Sequence, residues 1–311
     1  MKDGMLIENL KDVEKHCLRM VGMKIGDIAS SESLSALKKQ FEEKKYIDKN
    51  LINDIIEQDY FKIPKNSSPE PDIKMADGDE IELKVSHLWL FSPTKYKLVR
   101  PHYRLVLEML DYYDVKENSN WRLSKLYRKL KKMLIVYYYQ DMTKPPWEYK
   151  ITNAFVFDSD DFEEEIRTDY YTIRNSILNG QKISERYTDF LANCPKHPGG
   201  FCWDCFDNSL QIRNTGKVQY KIEKKRLNTP CQNKYCSHYW KKEQGKNGLP
   251  RIINPLSVTI HPALGLAERR GFCIPDKMMA VIWANQINCQ IESVGRSYGV
   301  PIENISHLLN D

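Results

Sequence analysis

Three residues in one short stretch have the types and spacing needed for metal-assisted hydrolysis. Asp72 follows Pro71, and Glu82 and Lys84 follow about ten residues later. Residues two apart in a strand share a face, so Glu82 and Lys84 point together. The Asp-Gly turn at residues 77–78 folds the preceding strand back and can bring Asp72 near Glu82. Two carboxylates on one face favour a cation between them, and their oxygen ligands suit Mg²⁺. The ion can activate a water molecule for attack on a phosphate. The lysine would orient that water or neutralise the charge that develops.

The Pro-Asp, Glu-Leu-Lys order is the pattern called PD-(D/E)xK, and a neighbouring carboxylate strengthens it. A solvated hairpin is the structural alternative, because Asp, Glu and Lys are common on such surfaces. Glu57 precedes the hairpin in the helical stretch KNLINDIIEQDYF, among apolar residues. A solitary carboxylate there is costly unless it is paired or bound to metal. We therefore expect Glu57 to be a further acidic residue of the site.

Four cysteines have the spacing of a zinc site. Cys202 and Cys205 form one close pair, and Cys231 and Cys236 form another after 25 intervening residues. Such spacing is typical of a zinc ribbon, whose thiolates hold Zn²⁺ and fold a segment that lacks a core. Apolar periodicity fades across residues 197–254, so we predict a basic inserted module with structural zinc; four reduced surface cysteines are the alternative.

Positive charge is concentrated in two segments of a weakly basic chain. The net charge is +5 with a pI near 8.6. Residues 121–132 carry six basic residues and no acid, and residues 213–251 carry eleven basic residues against two glutamates. This distribution favours a surface that faces nucleic acid, and a solvated lysine-rich surface is the alternative.

The elements that must position these residues alternate between helix and strand. Residues 5–60 have helical periodicity, and residues 72–90 have that of a strand pair. Further predicted elements are core strands within 103–113 and 132–140, an acidic-started helix that closes at 179–180, and a last helix within 274–299. No run of about 18 apolar residues predicts a membrane span, and the charged N-terminus is unlike a signal peptide. We expect a cytoplasmic protein with reduced cysteines.

The order of these motifs resembles the MutH family, which contains the mismatch-repair nicking endonuclease and related type II restriction endonucleases that cut at GATC. The segments MKIGDIA, LYRKLKKMLIVYYYQD and ERRGFCIPDKMMAVIWANQI continue the resemblance in the same order along the chain. The resemblance implies an α/β (α+β) fold with a mixed central sheet flanked by helices. Residues 1–196 and 255–311 would form the endonuclease domain, with two lobes around a DNA cleft, and residues 197–254 the insert.

The resemblance also implies roles for individual residues. Asp72 and Glu82 would bind Mg²⁺, Lys84 would complete the catalytic motif, and Glu57 would be the extra catalytic acid. Lys129 would read a base edge in the major groove. The remaining residues expected near DNA are Lys49, Arg128, Lys196, Arg269 and Arg270. Cys194 and Cys273 replace an arginine and a tyrosine of the nicking relative.

Together these features predict a Mg²⁺-dependent type II restriction endonuclease that hydrolyses double-stranded DNA, at GATC or a related short palindrome. It would act as a monomer that pairs transiently on its site, with a cognate methyltransferase as genetic partner. A MutH-type nicking enzyme of mismatch repair and a non-catalytic zinc-bearing DNA-binding protein are the alternatives.

Overall fold

The protein divides into two compact units. The first comprises Met1–Leu105, Lys129–Asp161 and Pro275–Asp311, and the second comprises Val106–Arg128 and Phe162–Ile274. The structure is a computed structural model that describes residues 7–44, 49–64, 70–91, 97–109, 115, 117–179, 186–197, 209–214, 217–222, 259–261, 266–295 and 297–309. The division predicted at 197–254 stays a prediction, because most of that segment lies outside the described residues.

Helices open the first unit, as the sequence predicts. They are α1 (Leu10–Met20), α2 (Ile25–Ile28), α3 (Ser31–Lys44) and α4 (Lys49–Asp54), and α4 continues into a π-helix (Ile55–Tyr60). Helix α1 begins where the Asn9 side chain accepts hydrogen bonds from the amides of Lys11 and Asp12, and the Asp12 amide also donates to the Asn9 carbonyl. Its residues Val13, Cys17 and Met20 are buried at helical spacing.

A seven-stranded mixed sheet forms the centre of the first unit. Its strands are β1 (Ile73–Lys74), β2 (Glu80–Phe91), β3 (Leu98–Pro101), β5 (Lys132–Tyr139), β6 (Lys150–Asp158), β13 (Glu292–Val294) and β14 (Ser297–Pro301). Their order is β13-β14-β3-β2-β5-β6, with β1 paired to β2. Only β2 and β5 are parallel among these pairs, with Glu82 opposite Met133. After Lys132, strand β5 is a continuous run of apolar and aromatic residues because both of its faces are covered.

The sheet is packed between two helical layers. On one face, Leu83, Leu134 and Val136 join a core with Val13 and Ile55 from the N-terminal helices. On the other face, Tyr137 contacts Trp283 of the helix Asp276–Gln286, with ring centroids 6.4 Å apart. This packing fixes β2, the strand that carries Glu82 and Lys84, together with its parallel neighbour β5.

The second unit contains the remaining strands and one long helix. Its strands are β4 (Leu105–Met109), β7 (Arg186–Tyr187), β8 (Ala192–His197), β9 (Ser209–Asn214), β10 (Lys217–Ile222), β11 (Thr259–His261) and β12 (Leu266–Ile274). They form a five-stranded sheet, in which β12 pairs β4, β8 and β11, and a separate β9-β10 hairpin. Helix α5 (Lys125–Leu130) begins in this unit, and its last two residues belong to the first unit. Helix α6 (Glu163–Leu178) is the predicted acidic-started helix.

The end of the chain differs from its prediction. The last long helix, α7 (Asp276–Gln286), stops well before residue 299, and β13 and β14 form a hairpin there. A short 3-10 turn (Ile302–Ile305) and helix α8 (Ser306–Leu309) follow. The predicted helix is too long because its apolar pattern continues through a segment whose strands pair with the sheet. Among the described residues, no helix has the length and apolarity required to cross a bilayer.

Candidate active site

The predicted hairpin forms and brings its acidic residues to one end of the sheet. Strands β1 and β2 are antiparallel, with Ile73 opposite Ile81. Gly78 adopts the left-handed conformation (φ 91°) that the reversal requires. Asp72, just before β1, accepts a hydrogen bond of 3.0 Å through Oδ2 from the amide of Leu83. This bond holds the Asp72 carboxylate beside the strand that carries Glu82.

Glu82 is the most buried carboxylate of the site, with 3% of its side chain exposed. Its Oε1 accepts from Lys84 Nζ at 2.5 Å, as expected for residues two apart on one face of β2. The same oxygen lies 3.6 Å from Lys129 Nζ. Its other oxygen, Oε2, is buried and has no hydrogen-bond partner among the described residues. A buried carboxylate oxygen without a donor is costly, so this atom is suited to a ligand.

The carboxylates of Glu57 and Asp72 belong to the same cluster. Burial raises the pKa of Glu57 to about 7, and the negative charge of Asp72 adds to the rise. Burial, followed by the charge of Glu82, also raises the pKa of Asp72. Lys84 partly offsets both shifts. Three carboxylates thus interact with one another, and the two nearby ammonium groups of Lys84 and Lys129 leave an excess of negative charge.

Glu57 lies on an unusual backbone. It is the third residue of the π-helix, in which the chain turns more widely than in an α-helix, and such turns are frequent at functional sites. The preceding residues Ile52, Ile55 and Ile56 are buried in the core. The Glu57 carbonyl accepts from the amide of Ile63 at 2.9 Å, which closes the turn at its end. The buried isoleucines therefore fix the backbone that presents Glu57.

The donor set fits Mg²⁺. Asp72 and Glu82 provide hard oxygen atoms, one of them without a donor among the described residues, and Mg²⁺ characteristically takes one or two carboxylates and retains several waters. Within the part of the chain that the structure describes, no three His, Cys, Asp or Glu side chains are close enough together to hold a metal ion by themselves. The site therefore suits an ion whose remaining ligands are water and substrate.

The other predicted DNA-facing residues fall into three groups. Lys129 is on α5, and its ammonium group faces Glu82, with 15% of the side chain exposed. Arg128, beside it, is exposed. For the rest only the backbone is described: one begins α4, one is in β8, and two are in β12 (Lys49, Lys196, Arg269 and Arg270). Their roles remain predictions.

Residues 193–196, which include Cys194 and Lys196, are part of β8. Its residues pair with β12, and Asn193 lies opposite Phe272. Cys273 is fully buried, and its Sγ lies 3.5 Å from the carbonyl of Ala192. The predicted zinc ligands Cys202, Cys205, Cys231 and Cys236 lie outside the described residues.

Sequence reasoning missed two contacts at this end of the sheet. Lys129 contacts the catalytic-motif glutamate, whereas the sequence assigned it only to base reading. Lys132, at the start of β5, forms an ion pair with Asp79 of the hairpin turn. The parallel pairing of β2 with β5 creates both contacts, and the dense lysine run before a hydrophobic strand was the signal that could have indicated them.

Comparison with known proteins supports the resemblance over the segment that holds most of this site. Residues 61–169 match the family described as the DNA mismatch repair enzyme MutH, so the predicted resemblance to MutH-like nucleases is confirmed there. The matched segment covers about a third of the chain, and the mixed sheet with its helices fits that fold. The match supports a DNA endonuclease of the MutH or restriction-enzyme kind, a hydrolase that binds double-stranded DNA. No curated protein matches the chain significantly.

Proposed function

We propose that the protein is a Mg²⁺-dependent type II restriction endonuclease that hydrolyses double-stranded DNA at a short palindrome, GATC or a related site. The observation that carries the proposal is the buried cluster around Glu82, whose Oε2 has no donor among the described residues. A solvated surface hairpin would leave its carboxylates in water, whereas Glu82 is 3% exposed and Asp72 is partly buried. Burial of like charges is costly and is typical of functional sites.

The side chains suggest a division of roles in phosphodiester hydrolysis. Asp72 and Glu82 would hold the divalent cation, which stabilises charge on the phosphate and makes a bound water more acidic. Lys84 donates to Glu82 and would donate to the attacking water or to a phosphate oxygen when DNA is bound. Glu57 would add negative charge on the Asp72 side of the cluster and help to retain the cation.

Lys129 has a place in this scheme that does not require base reading. Its ammonium group lies 3.6 Å from Glu82 Oε1, on the oxygen that Lys84 also contacts. Two cations on Oε1 would leave Oε2 for the metal ion. The exposed Arg128 is better placed for a phosphate contact, because its guanidinium is not buried in the cluster. Base reading by Lys129 remains a prediction that requires its side chain to extend away from Glu82.

Plasmid cleavage tests the proposal. Supercoiled plasmid incubated with the protein and Mg²⁺ should be cut to discrete fragments, and Lys84→Ala should abolish cutting while it preserves DNA binding. Lys74→Ala is the matched control, because Lys74 is an exposed lysine of the same hairpin that pairs with Glu70. Cleavage by Lys84→Ala at the wild-type rate would remove the catalytic assignment.

Strand-specific nicking is the second candidate, because the matched family is described as a mismatch repair enzyme. It predicts nicked circles in place of linear fragments, and dependence on a methylation state. Cys194 and Cys273 replace an arginine and a tyrosine of the nicking relative, which favours restriction. Double-strand cutting would require two protomers that pair transiently on the palindrome, or sequential nicks. An adjacent methyltransferase gene would support restriction.

The zinc module remains part of the proposal. Cys202, Cys205, Cys231 and Cys236 would bind one Zn²⁺, and the basic residues around them would extend the contact with DNA through phosphates. One equivalent of zinc in the purified protein, reduced in Cys205→Ser, would support the module. A protein that shifts DNA on a gel and never cuts it would instead be a zinc-bearing DNA-binding protein.

A further inference from the structure

A short hairpin separates Asp72 and Glu82, the two carboxylates proposed to hold the cation. Strand β1 is two residues long and makes two register pairs with β2, Ile73 with Ile81 and Lys74 with Glu80. Two backbone bonds close the turn locally, since Gly78 donates to Met75 at 3.1 Å and Met75 donates to Asp79 at 2.9 Å, and Asp77 donates to the distant Glu8 carbonyl at 3.3 Å. Two-stranded hairpins of this length are only marginally stable by themselves.

One ion pair ties this hairpin to the neighbouring strand of the central sheet. Lys132 Nζ lies 2.6 Å from Asp79 Oδ2, across a separation of 53 residues. Asp79 is three residues before Glu82, and Lys132 precedes Met133, the residue opposite Glu82 in the parallel pairing of β2 with β5. The ion pair therefore connects the turn to β5 at Lys132, the residue next to the one that lies opposite the buried Glu82.

The electrostatics of both partners agree with an ionised pair. The hydrogen bond from Lys132 lowers the pKa of Asp79, and the hydrogen bond to Asp79 raises the pKa of Lys132. The Lys132 side chain is 18% exposed, whereas Asp79 is 44% exposed. Exposed ion pairs contribute little to global stability. The consequence of this pair should therefore be local, in the position of the hairpin.

We infer that Asp79 and Lys132 are positioning residues that set the separation of Asp72 and Glu82, and with it the affinity for the catalytic divalent cation. The inference rests on the proposed function for its metal. On this inference the pair acts through the hairpin and not by contact with substrate or the cation. Loss of the pair lets the turn shift relative to β5 and leaves the bond from the Leu83 amide to hold Asp72, so Asp72 moves relative to Glu82, which the parallel sheet holds in place. Residues that orient metal ligands characteristically change metal affinity when they are replaced.

Binding of Mn²⁺, measured by electron paramagnetic resonance on the metal-free full-length protein without DNA, tests the inference. Asp79→Asn and Lys132→Met should each raise the Mn²⁺ dissociation constant by roughly three- to tenfold, less than the loss of a residue bonded directly to a ligand. The double variant should be no weaker than the single variants, because both remove one interaction. Lys132→Arg should restore affinity, since it keeps a donor for Asp79.

Lys74→Met is the matched control, since it removes an exposed lysine from the same hairpin whose ion pairs with Glu70 and Glu80 are local. Unchanged Mn²⁺ affinity in Asp79→Asn and Lys132→Met would overturn the inference, as would an equal loss in Lys74→Met. Additive losses in the double variant would also contradict it.

DNA binding and wild-type cleavage distinguish the positioning role from a phosphate contact and from failure of the proposed function. Affinity for duplex DNA without metal should be the same in Asp79→Asn and Lys132→Met; a loss in Lys132→Met alone would make Lys132 a phosphate contact and refute the positioning role. Wild-type protein that binds Mn²⁺ but cuts no DNA would reject the proposed function while the comparison of variants still decides the role of the pair. Wild-type protein that binds no Mn²⁺ would reject both.

Discussion

Replacement of Glu57 by glutamine should stabilise the metal-free protein at neutral and alkaline pH. Burial, together with the neighbouring charge of Asp72, raises the pKa of Glu57 from its ordinary value of 4.5 to about 7. The folded protein therefore binds this proton more tightly than the unfolded chain does. As the pH rises from 4.5 to 7, the unfolded chain releases the Glu57 proton more readily than the folded protein does, so the free energy of unfolding falls.

The magnitude follows from the shift. Each pKa unit corresponds to 1.36 kcal/mol, so the full cost of ionised Glu57 would be about 3 kcal/mol above pH 7. The side chain is only partly buried, so solvent screening reduces the expected difference to roughly 1–2 kcal/mol. Below pH 4.5 Glu57 is protonated in both states, and the two proteins should be equally stable. Glutamine has nearly the same shape as the protonated acid, so it should fit without rearrangement.

Urea denaturation in EDTA at pH 4.5 and pH 8 measures the effect. Glu57→Gln should unfold at higher urea concentration than wild type at pH 8, and at nearly the same concentration at pH 4.5, where Glu57 is still half protonated in the unfolded chain. Glu42→Gln, an exposed glutamate of α3, controls for the amide substitution. Excess Mg²⁺ should narrow the difference at pH 8, because the cation offsets the repulsion between Glu57 and Asp72. A variant that is less stable than wild type at pH 8 in EDTA would refute the assignment of Glu57 to this cluster.

Three further substitutions test the surrounding fold by thermal or urea denaturation. Tyr137→Phe should stabilise the protein by about 1 kcal/mol, since its buried hydroxyl has no partner among the described residues; destabilisation would indicate a missed partner. Asp169→Asn should destabilise by roughly 2 kcal/mol, because Oδ2 accepts from the amides of Phe190 and Leu191 at 2.7 and 2.9 Å; an unchanged midpoint would contradict this. Gly299→Ala should destabilise by about 1–3 kcal/mol, because a Cβ there would lie 2.8 Å from a carbonyl oxygen of β3. Wild-type stability would contradict this, since it would mean that β14 and β3 move apart without cost.

The burial of Glu82 argues against a solvated surface hairpin, one of the two interpretations that the sequence left open. Alternating residues and an Asp-Gly turn predict a hairpin in either case, and the structure confirms that hairpin. The exposure of Glu82 could not be predicted, because it depends on β5 and α5. These elements contact the hairpin although they lie about fifty residues further along the chain. Coverage by those elements is what makes the cluster electrostatically unusual.

Lys129 illustrates the limit of assigning roles by motif. Its position in a run of basic residues predicts contact with DNA, and a lysine in solution reaches in many directions. The structure directs its ammonium group to Glu82 because α5 leads directly into β5, the parallel neighbour of β2. A side chain with several rotatable bonds takes its contact from the fold around it, which local sequence does not encode.

The sequence alone determined the hairpin, the acidic and basic residues with their spacing, the N-terminal helices and the resemblance to MutH-like nucleases. These follow from local rules: strand alternation, turn chemistry and helical periodicity each act over a few residues. Tertiary structure decided that Glu57 lies on a π-helix, that Oε2 of Glu82 lacks a donor among the described residues, and that Lys132 holds Asp79. Those features depend on which distant elements pack together, and packing alone sets burial, charge proximity and the register between β2 and β5.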